Sequence, residues 1–255
     1  MTQVTDPVRQ QFGGTADAYA NSTFHSSGPD LGWLVDAANF TGSERVLDMG
    51  CGPGHTALAA ARCARQVVGL DLTPEMVAKA TSLAAERRLA NVAFQVGNVM
   101  ALPFEDASFD VVTSRVSAHH YSDPGRALSE AARVLKPGGR FLLSDTISPE
   151  DPTLDTFLNV IEFLRDASHV RDWRGSEWVR MFAGAGFQAE VLERFPLMLD
   201  GLEWVTRMRT PPAKVAMLRT LFREASPPVR AAFQIRDEPW GYTIPITLMR
   251  ARLRK

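Results

Sequence analysis

Three glycines at alternate positions, Gly50, Gly52 and Gly54, follow an apolar run that holds Asp48, and a second acid, Asp71, closes the next apolar run. A backbone stripped of side chains lets a ligand approach closely. A helix start just beyond it offers unpaired N–H groups and a positive dipole end. In a doubly wound sheet, an acid at the end of the second strand accepts hydrogen bonds from ribose hydroxyls. These residues therefore point to an adenosine derivative lying over the carboxyl ends of the strands. The spacing is G-x-G-x-G; the third glycine of a dinucleotide fingerprint would fall on His55. There is no G-x-x-x-x-G-K-[ST] phosphate loop either. The plain alternative is a tight strand–helix turn with no ligand, and Asp48 and Asp71 at the two strand ends weigh against it.

The elements that must position these residues can be read from short apolar runs at 45–50, 66–71, 92–96, 109–115 and 139–146, with helical patterns between them. The helix opening at Pro74 has Thr73 as its expected N-cap, and the one opening at Pro124 has Asp123. Pro137-Gly138-Gly139 is expected to stop the latter. Strand–helix alternation at this rhythm predicts a parallel sheet covered on both faces. After residue 150 the pattern turns helical, with breaks expected at Pro211-Pro212 and Pro227-Pro228. A strand is expected in 188–195 and another in 242–253, where Pro245 favours an edge or irregular position.

Composition excludes several classes. The 255 residues are 45% hydrophobic and carry a formal net charge of -1, with 28 basic and 29 acidic side chains and no like-charge run, so no nucleic-acid partner is expected. No apolar run is long enough for a membrane span, and the N-terminus has no secretory h-region. The two cysteines, Cys51 and Cys63, fit no metal or disulfide spacing. The expectation is a cytoplasmic protein, monomer or homodimer, without a metal.

The stretches "VLDMGCGPGHTA", "VVGLDLTPEMVAKA" and "NVAFQVGNVMALPFEDASFDVVTSRVSAHHYSDPGRALSEAARVLKPGGRFLLSD" resemble the successive motifs of class I S-adenosylmethionine-dependent methyltransferases. The likeness runs without a break from 44 to 146 and is strongest to the ubiquinone/menaquinone C-methyltransferase branch. It implies an α/β, doubly wound Rossmann-like sheet, mostly parallel with the last strand antiparallel, and a small helical cap. One domain is expected over 1–255, with a lid segment at 1–40, a cofactor core at 41–150 and a cap at 151–175 and 197–240. The implied cofactor is S-adenosylmethionine. Gly50, Cys51, Gly52 and Gly54 would line its methionine and ribose, and Asp48 would help anchor its amino group, directly or through water. Asp71 would take the ribose hydroxyls, Leu72 and Met76 the adenine faces, and Gly97, Asn98 and Val99 the adenine edge. Many members have Asp at position 98, and the Asn carbonyl can still accept from the adenine amino group. Arg115 and Val116 would hold the methionine portion through backbone, with Tyr19 and His25 closing over that end.

Methyl transfer is an in-line displacement in which the cofactor supplies the driving force and the protein supplies alignment. A base is needed only where the nucleophile keeps its proton near neutral pH. His119, His120 and His169 are the candidate catalytic residues, and Tyr121, Arg165 and Trp173 candidate substrate contacts; His55 is expected to order the glycine loop. Tyr19 and His25, with the segment around Arg165 and His169, are expected to roof the pocket. The expected reaction is O-, N- or C-methylation of a small, partly apolar organic molecule. A nicotinamide-dependent oxidoreductase and a non-catalytic S-adenosylmethionine-binding protein remain as alternatives.

Overall fold

A computed structural model describes residues 6–254. Residues 1–5 of the expected lid, which begin the stretch without an h-region, and Lys255 lie outside the described residues. Four helices come first: α1 (Asp6–Gly13), α2 (Ala16–Ala20), α3 (Thr23–Ser27) and α4 (Pro29–Ala38). The alternating part follows as β1 (Arg45–Met49), α5 (His55–Ala60), β2 (Gln66–Asp71), α6 (Pro74–Glu86), β3 (Val92–Val96), β4 (Phe109–Arg115), α7 (Pro124–Val134) and β5 (Leu135–Thr146). Then come α8 (Pro152–Arg165), α9 (Gly175–Gly184), β6 (Phe187–Asp200), α10 (Gly201–Arg207), α11 (Pro212–Arg223), α12 (Pro227–Ala232) and β7 (Gly241–Leu253).

The seven strands lie in the order β3-β2-β1-β4-β5-β7-β6; β1 to β5 are parallel, and β7 runs antiparallel to both β5 and β6. The strand order reverses between β1 and β4, where the sheet leaves a crevice at its carboxyl ends. Period-two alternation supplies both cores: Leu47, Val112 and Leu143 pack with α7 and α9, while Val46, Val111 and Leu142 pack with α4 and α5. A third cluster joins Leu158 and Ile161 of α8 to Trp204, Leu218, Phe222 and Val229 of α10–α12 and to Tyr242, Ile244 and Ile246 of β7. The cap is thus a packed layer over the antiparallel end of the sheet.

Three local readings need correction. Thr73 holds the N-cap position of α6 but its hydroxyl makes no capping bond and is buried without a partner; Asp123 does cap α7, accepting from Arg126 N–H at 2.9 Å. α7 ends at Val134, before the Pro-Gly-Gly, which forms an excursion within β5 between the pairs Phe109↔Leu135 and Val111↔Arg140. Pro245 sits in β7, an interior strand. It is tolerated because it lies opposite Pro196, where neither residue needs to donate across the ladder, and because paired β5 has ended at Thr146. Its carbonyl still accepts from Ile147 N–H at 3.0 Å.

Candidate active site

The chain leaves β1 through a turn in which Gly50, Gly52 and Gly54 have φ of 65°, 51° and 89°. They do different work. A Cβ on Gly50 would stand 2.7 Å from Ser117 Oγ, and one on Gly54 would stand 2.9 Å from the Phe94 ring. A Cβ on Gly52 would meet no protein atom within 4 Å. Gly54 therefore answers to packing under the turn and does not line the cavity, against the sequence expectation. Asp71, at the end of β2, accepts from Gly52 N–H at 2.8 Å and from Thr73 N–H at 2.9 Å. It thereby pins the turn while facing the cavity, and burial raises its pKa.

Asp48 is also a correction. Its carboxylate accepts from Thr113 Oγ1–H at 2.7 Å and from Ala57 N–H, in the first turn of α5, at 3.1 Å. It is buried beneath the turn, where desolvation pushes its pKa to about 7, and it is not on the cavity wall. It braces the positive end of α5 against β4 and cannot reach a cofactor amino group without leaving both partners.

Above the turn lies a cavity walled by every expected cofactor contact except Asp48 and Gly54. Asn98 faces it, though its side-chain oxygen already accepts from Met100 N–H at 2.9 Å. Arg115 is buried and forms a two-pronged ion pair with Asp30 of α4, Nε–Oδ2 2.5 Å and Nη2–Oδ1 2.8 Å. It also donates to the carbonyls of His25 and Phe24. Its side chain ties α3 and α4 to the end of β4. Val116 follows at φ 50°, a conformation unusual for a β-branched residue and one that clusters at functional sites. His55 also lines this cavity, with both ring nitrogens buried and unpartnered; it makes none of the loop bonds expected of it.

A second, smaller cavity adjoins the first and shares Phe12, Tyr19, His25, Val116 and His120 with it. Its far wall combines Leu197, Leu199, Trp204 and Ile244 with Arg165, Arg207, Glu162 and Asp172. His119 faces this cavity. Its Nδ1 lies 2.7 Å from Asp145 Oδ1, and Asp145 in turn accepts from Ala118 and Thr146 N–H, each at 2.8 Å. Burial disfavours the imidazolium, but the Asp145 charge overrides it and raises His119 to about 9. His120, with Nδ1 on the Ser168 carbonyl at 3.1 Å, is pushed down to about 4 by burial and by His119.

Three other candidates are displaced. His169 lines neither cavity: its Nε2 meets Asn159 Oδ1 at 3.3 Å, and its ring lies behind His119, centroids 5.8 Å apart. Burial and the neighbouring cations push it to about 2. Trp173 packs on the main core cluster. Tyr121 borders only the first cavity, and its hydroxyl donates to the Met49 carbonyl at 3.1 Å, among Ser114 and Ser117. Sequence reasoning missed Phe12, Asp145, Glu162, Asp172 and Arg207. Asp145 had a signal, being an acid at a strand end like Asp71; the others lie on helices or loops whose apposition only the fold creates.

The family model described as "Methyltransferase domain" matches residues 47–143. An uncharacterized methyltransferase, YcgJ of Bacillus subtilis, is 42% identical over 88% of this chain and 88% of its own length. The uncharacterized protein YafE of Escherichia coli is 40% identical over 72% of this chain and 89% of its own. The crystal structure of YcgJ superposes with a TM-score of 0.86 at 39% identity, covering 88% of this chain and 98% of that one. A putative methyltransferase from Bacillus halodurans superposes equally well, TM-score 0.86 at 34% identity, covering 89% of this chain and 100% of that one. The chain belongs to the class I S-adenosylmethionine-dependent methyltransferases. It is an enzyme of that kind, its cofactor is S-adenosylmethionine, and the nicotinamide reading is set aside. The first cavity fits that cofactor. It offers a strand-end carboxylate, a glycine whose missing Cβ obstructs nothing, and a histidine with two orphaned nitrogens.

Among the described residues, no group of three or more His, Cys, Asp or Glu side chains is placed to hold a metal, and no helix is long and apolar enough to cross a membrane.

Proposed function

We propose that this enzyme methylates a small, partly apolar organic molecule held in the second cavity. The observation that carries the reading is the pair of adjoining cavities with one shared wall. The larger is lined by the residues expected to hold the cofactor, and the smaller is an apolar recess with a few charged groups, the lining that suits a small organic molecule and gives a folded macromolecule no surface to dock on. Asp71 receives the ribose hydroxyls, Asn98 and Val99 meet the adenine edge, and the Gly50–Gly52 backbone and Val116 face the methionine portion. When bound, the cofactor supplies an activated methyl on a sulfonium centre. The chain's own residues do the rest. Phe12, Tyr19 and His25 cover the junction and exclude water. His119, kept charged by Asp145, attracts an acceptor atom in its anionic form. His120 stays neutral at ordinary pH and, held down to about 4, is a weak base, so the pair suits an acceptor that arrives already ionised or is acidified beside His119.

The likeness to quinone C-methyltransferases covers 44–146, the cofactor half. The acceptor cavity takes Val116, His119, His120 and Thr146 from that half, but the rest of its wall comes from α1–α3, α8, α10, the loop at Asp172 and the β6–β7 pair, so the elements outside 44–146 set much of the acceptor chemistry. A soluble cell extract incubated with methyl-labelled cofactor tests the reading. Label should enter the small-molecule fraction and depend on the enzyme. Label confined to protein or nucleic acid would overturn it.

A further inference from the structure

We propose that the acceptor molecule carries an oxyanion of the carboxylate class, seated between Arg165 and Arg207. The inference rests on the methyl-transfer reading above and specifies the substrate for it. Arg165 ends α8 and Arg207 ends α10, and both face the second cavity. Arg165 lies over the Trp204 ring, 5.1 Å from its centroid, and donates to the Trp204 carbonyl at 3.1 Å and to Glu162 at 3.4 Å. These bonds use two of its five donors, and the Tyr19 hydroxyl lies beside it. Arg207 reaches only Glu203, at 3.2 Å, and that carboxylate is an exposed group at the rim. The Arg207 side chain is itself only 11% exposed, and its Nε is buried with no partner. A guanidinium presents five donors in a rigid fork, and burying them unmet is costly.

The two guanidinium groups are unequally matched: burial works against the Arg165 charge but Tyr19 and Glu162 override it and raise its pKa, whereas Arg207 has only a solvent-exposed partner. Glu162 is already spent on Arg165. Asp172 has an unpartnered buried oxygen, and desolvation raises its pKa strongly, which favours its neutral acid form. His119 is matched by Asp145. Arg165 thus has Glu162 while Arg207 has only the exposed Glu203, and burial, with the nearby Arg165 charge, lowers the pKa of Arg207. An anion bridging them would meet the free donors of both. The neighbouring Leu197, Leu199 and Ile244 suit an apolar body attached to that anion. A neutral apolar substrate would leave the donors unmet, and a cationic one would add a like charge.

The test compares benzoate with its neutral isostere benzamide, by calorimetry on the full chain saturated with S-adenosylhomocysteine. Benzoate should bind about tenfold or more tightly than benzamide, the ratio expected for one charge-assisted hydrogen bond. Arg207→Gln should erase that preference, and Arg207→Lys should keep part of it. Neither variant should alter affinity for S-adenosylhomocysteine, because Arg207 does not border the first cavity; this also reports that the variants are folded. Equal binding of the two probes, failure of benzoate to bind, or an undiminished preference in Arg207→Gln would overturn the proposal. Failure of the small-molecule reading would show separately, as label confined to macromolecules.

Discussion

Replacing Asp145 by Asn should uncouple the charge state of His119 from the fold. Asp145 is buried, 2.7 Å from the imidazole, and it is the group that holds His119 at about 9 against the opposing cost of burial. A rise from 6.5 to about 9 corresponds to roughly 3 kcal/mol of preference for the imidazolium. The sign follows from linkage. With its folded pKa above the unfolded value, His119 contributes stability that is complete below pH 6.5 and lost as pH rises through about 9. The wild type should therefore lose stability across that window, and Asp145→Asn should not show this loss. Asp48, raised to about 7, gives an acid-side slope common to both proteins. His120 and His169, held neutral at about 4 and 2, oppose that slope as pH falls below 6.5. In the variant His119 should titrate well below 9, because only the more distant Asp172 and Glu162 charges then oppose desolvation. Long-range imidazole ¹H–¹⁵N spectra across pH 5–10 read the pKa, and urea unfolding at a series of pH values reads the stability; these pH bounds bracket roughly the window set by the two pKa values. A variant whose His119 still titrates near 9, or a wild type whose His119 titrates near 6.5, would refute the reasoning.

Asp71→Ala should weaken S-adenosylhomocysteine binding by calorimetry, by about 1.5–3 kcal/mol for each ribose hydrogen bond lost; an unchanged affinity would contradict the assignment of the β2 end. Gly54→Ala should cost several kcal/mol of stability in denaturant unfolding, because its Cβ meets the Phe94 ring at 2.9 Å and φ is 89°. Gly52→Ala, with open space around it, should affect cofactor affinity more than it affects packing. Hydrogen exchange in residues 15–28 and 160–175 should slow on adding S-adenosylhomocysteine, since Tyr19, His25 and Arg165 border the cavities. Turnover, once an acceptor is identified, should survive EDTA, because no metal-binding cluster occurs among the described residues.

The parallel sheet was legible because each βαβ unit is local and its apolar period marks both strand and helix. The positions of Gly50, Gly52 and Asp71 beside the first cavity were legible because glycine turns and strand-end acids have fixed sequence addresses. Gly54 was misread for the same reason, as spacing cannot tell a glycine that admits a ligand from one that admits Phe94. Asp48 was misread because its distance to Ala57 and Thr113 is a tertiary fact. The second cavity was the least legible part. Phe12, Glu162 and Arg207 come from three helices far apart in sequence and meet only when the cap packs on β7. His169 and Trp173 share the loop after α8 with no periodicity to assign an inward face, and both turned toward structural partners.

The Arg115–Asp30 pair fixes where the molecule can open. Undoing a buried two-pronged pair costs about 3–5 kcal/mol, a population of roughly one in 10² to 10⁴. The α4 helix and the His25 carbonyl are thus moored to the sheet on the timescale of ordinary breathing. The preceding stretch has lighter fastenings, a Gln11 amide on the Met208 carbonyl at 2.9 Å and the exposed Lys79–Asp17 pair at 2.8 Å. Opening should therefore pivot near Ser22, with α1 and α2 swinging as a short door hung from a fixed post. The spent cofactor would leave through that doorway while the acceptor cavity keeps its far wall.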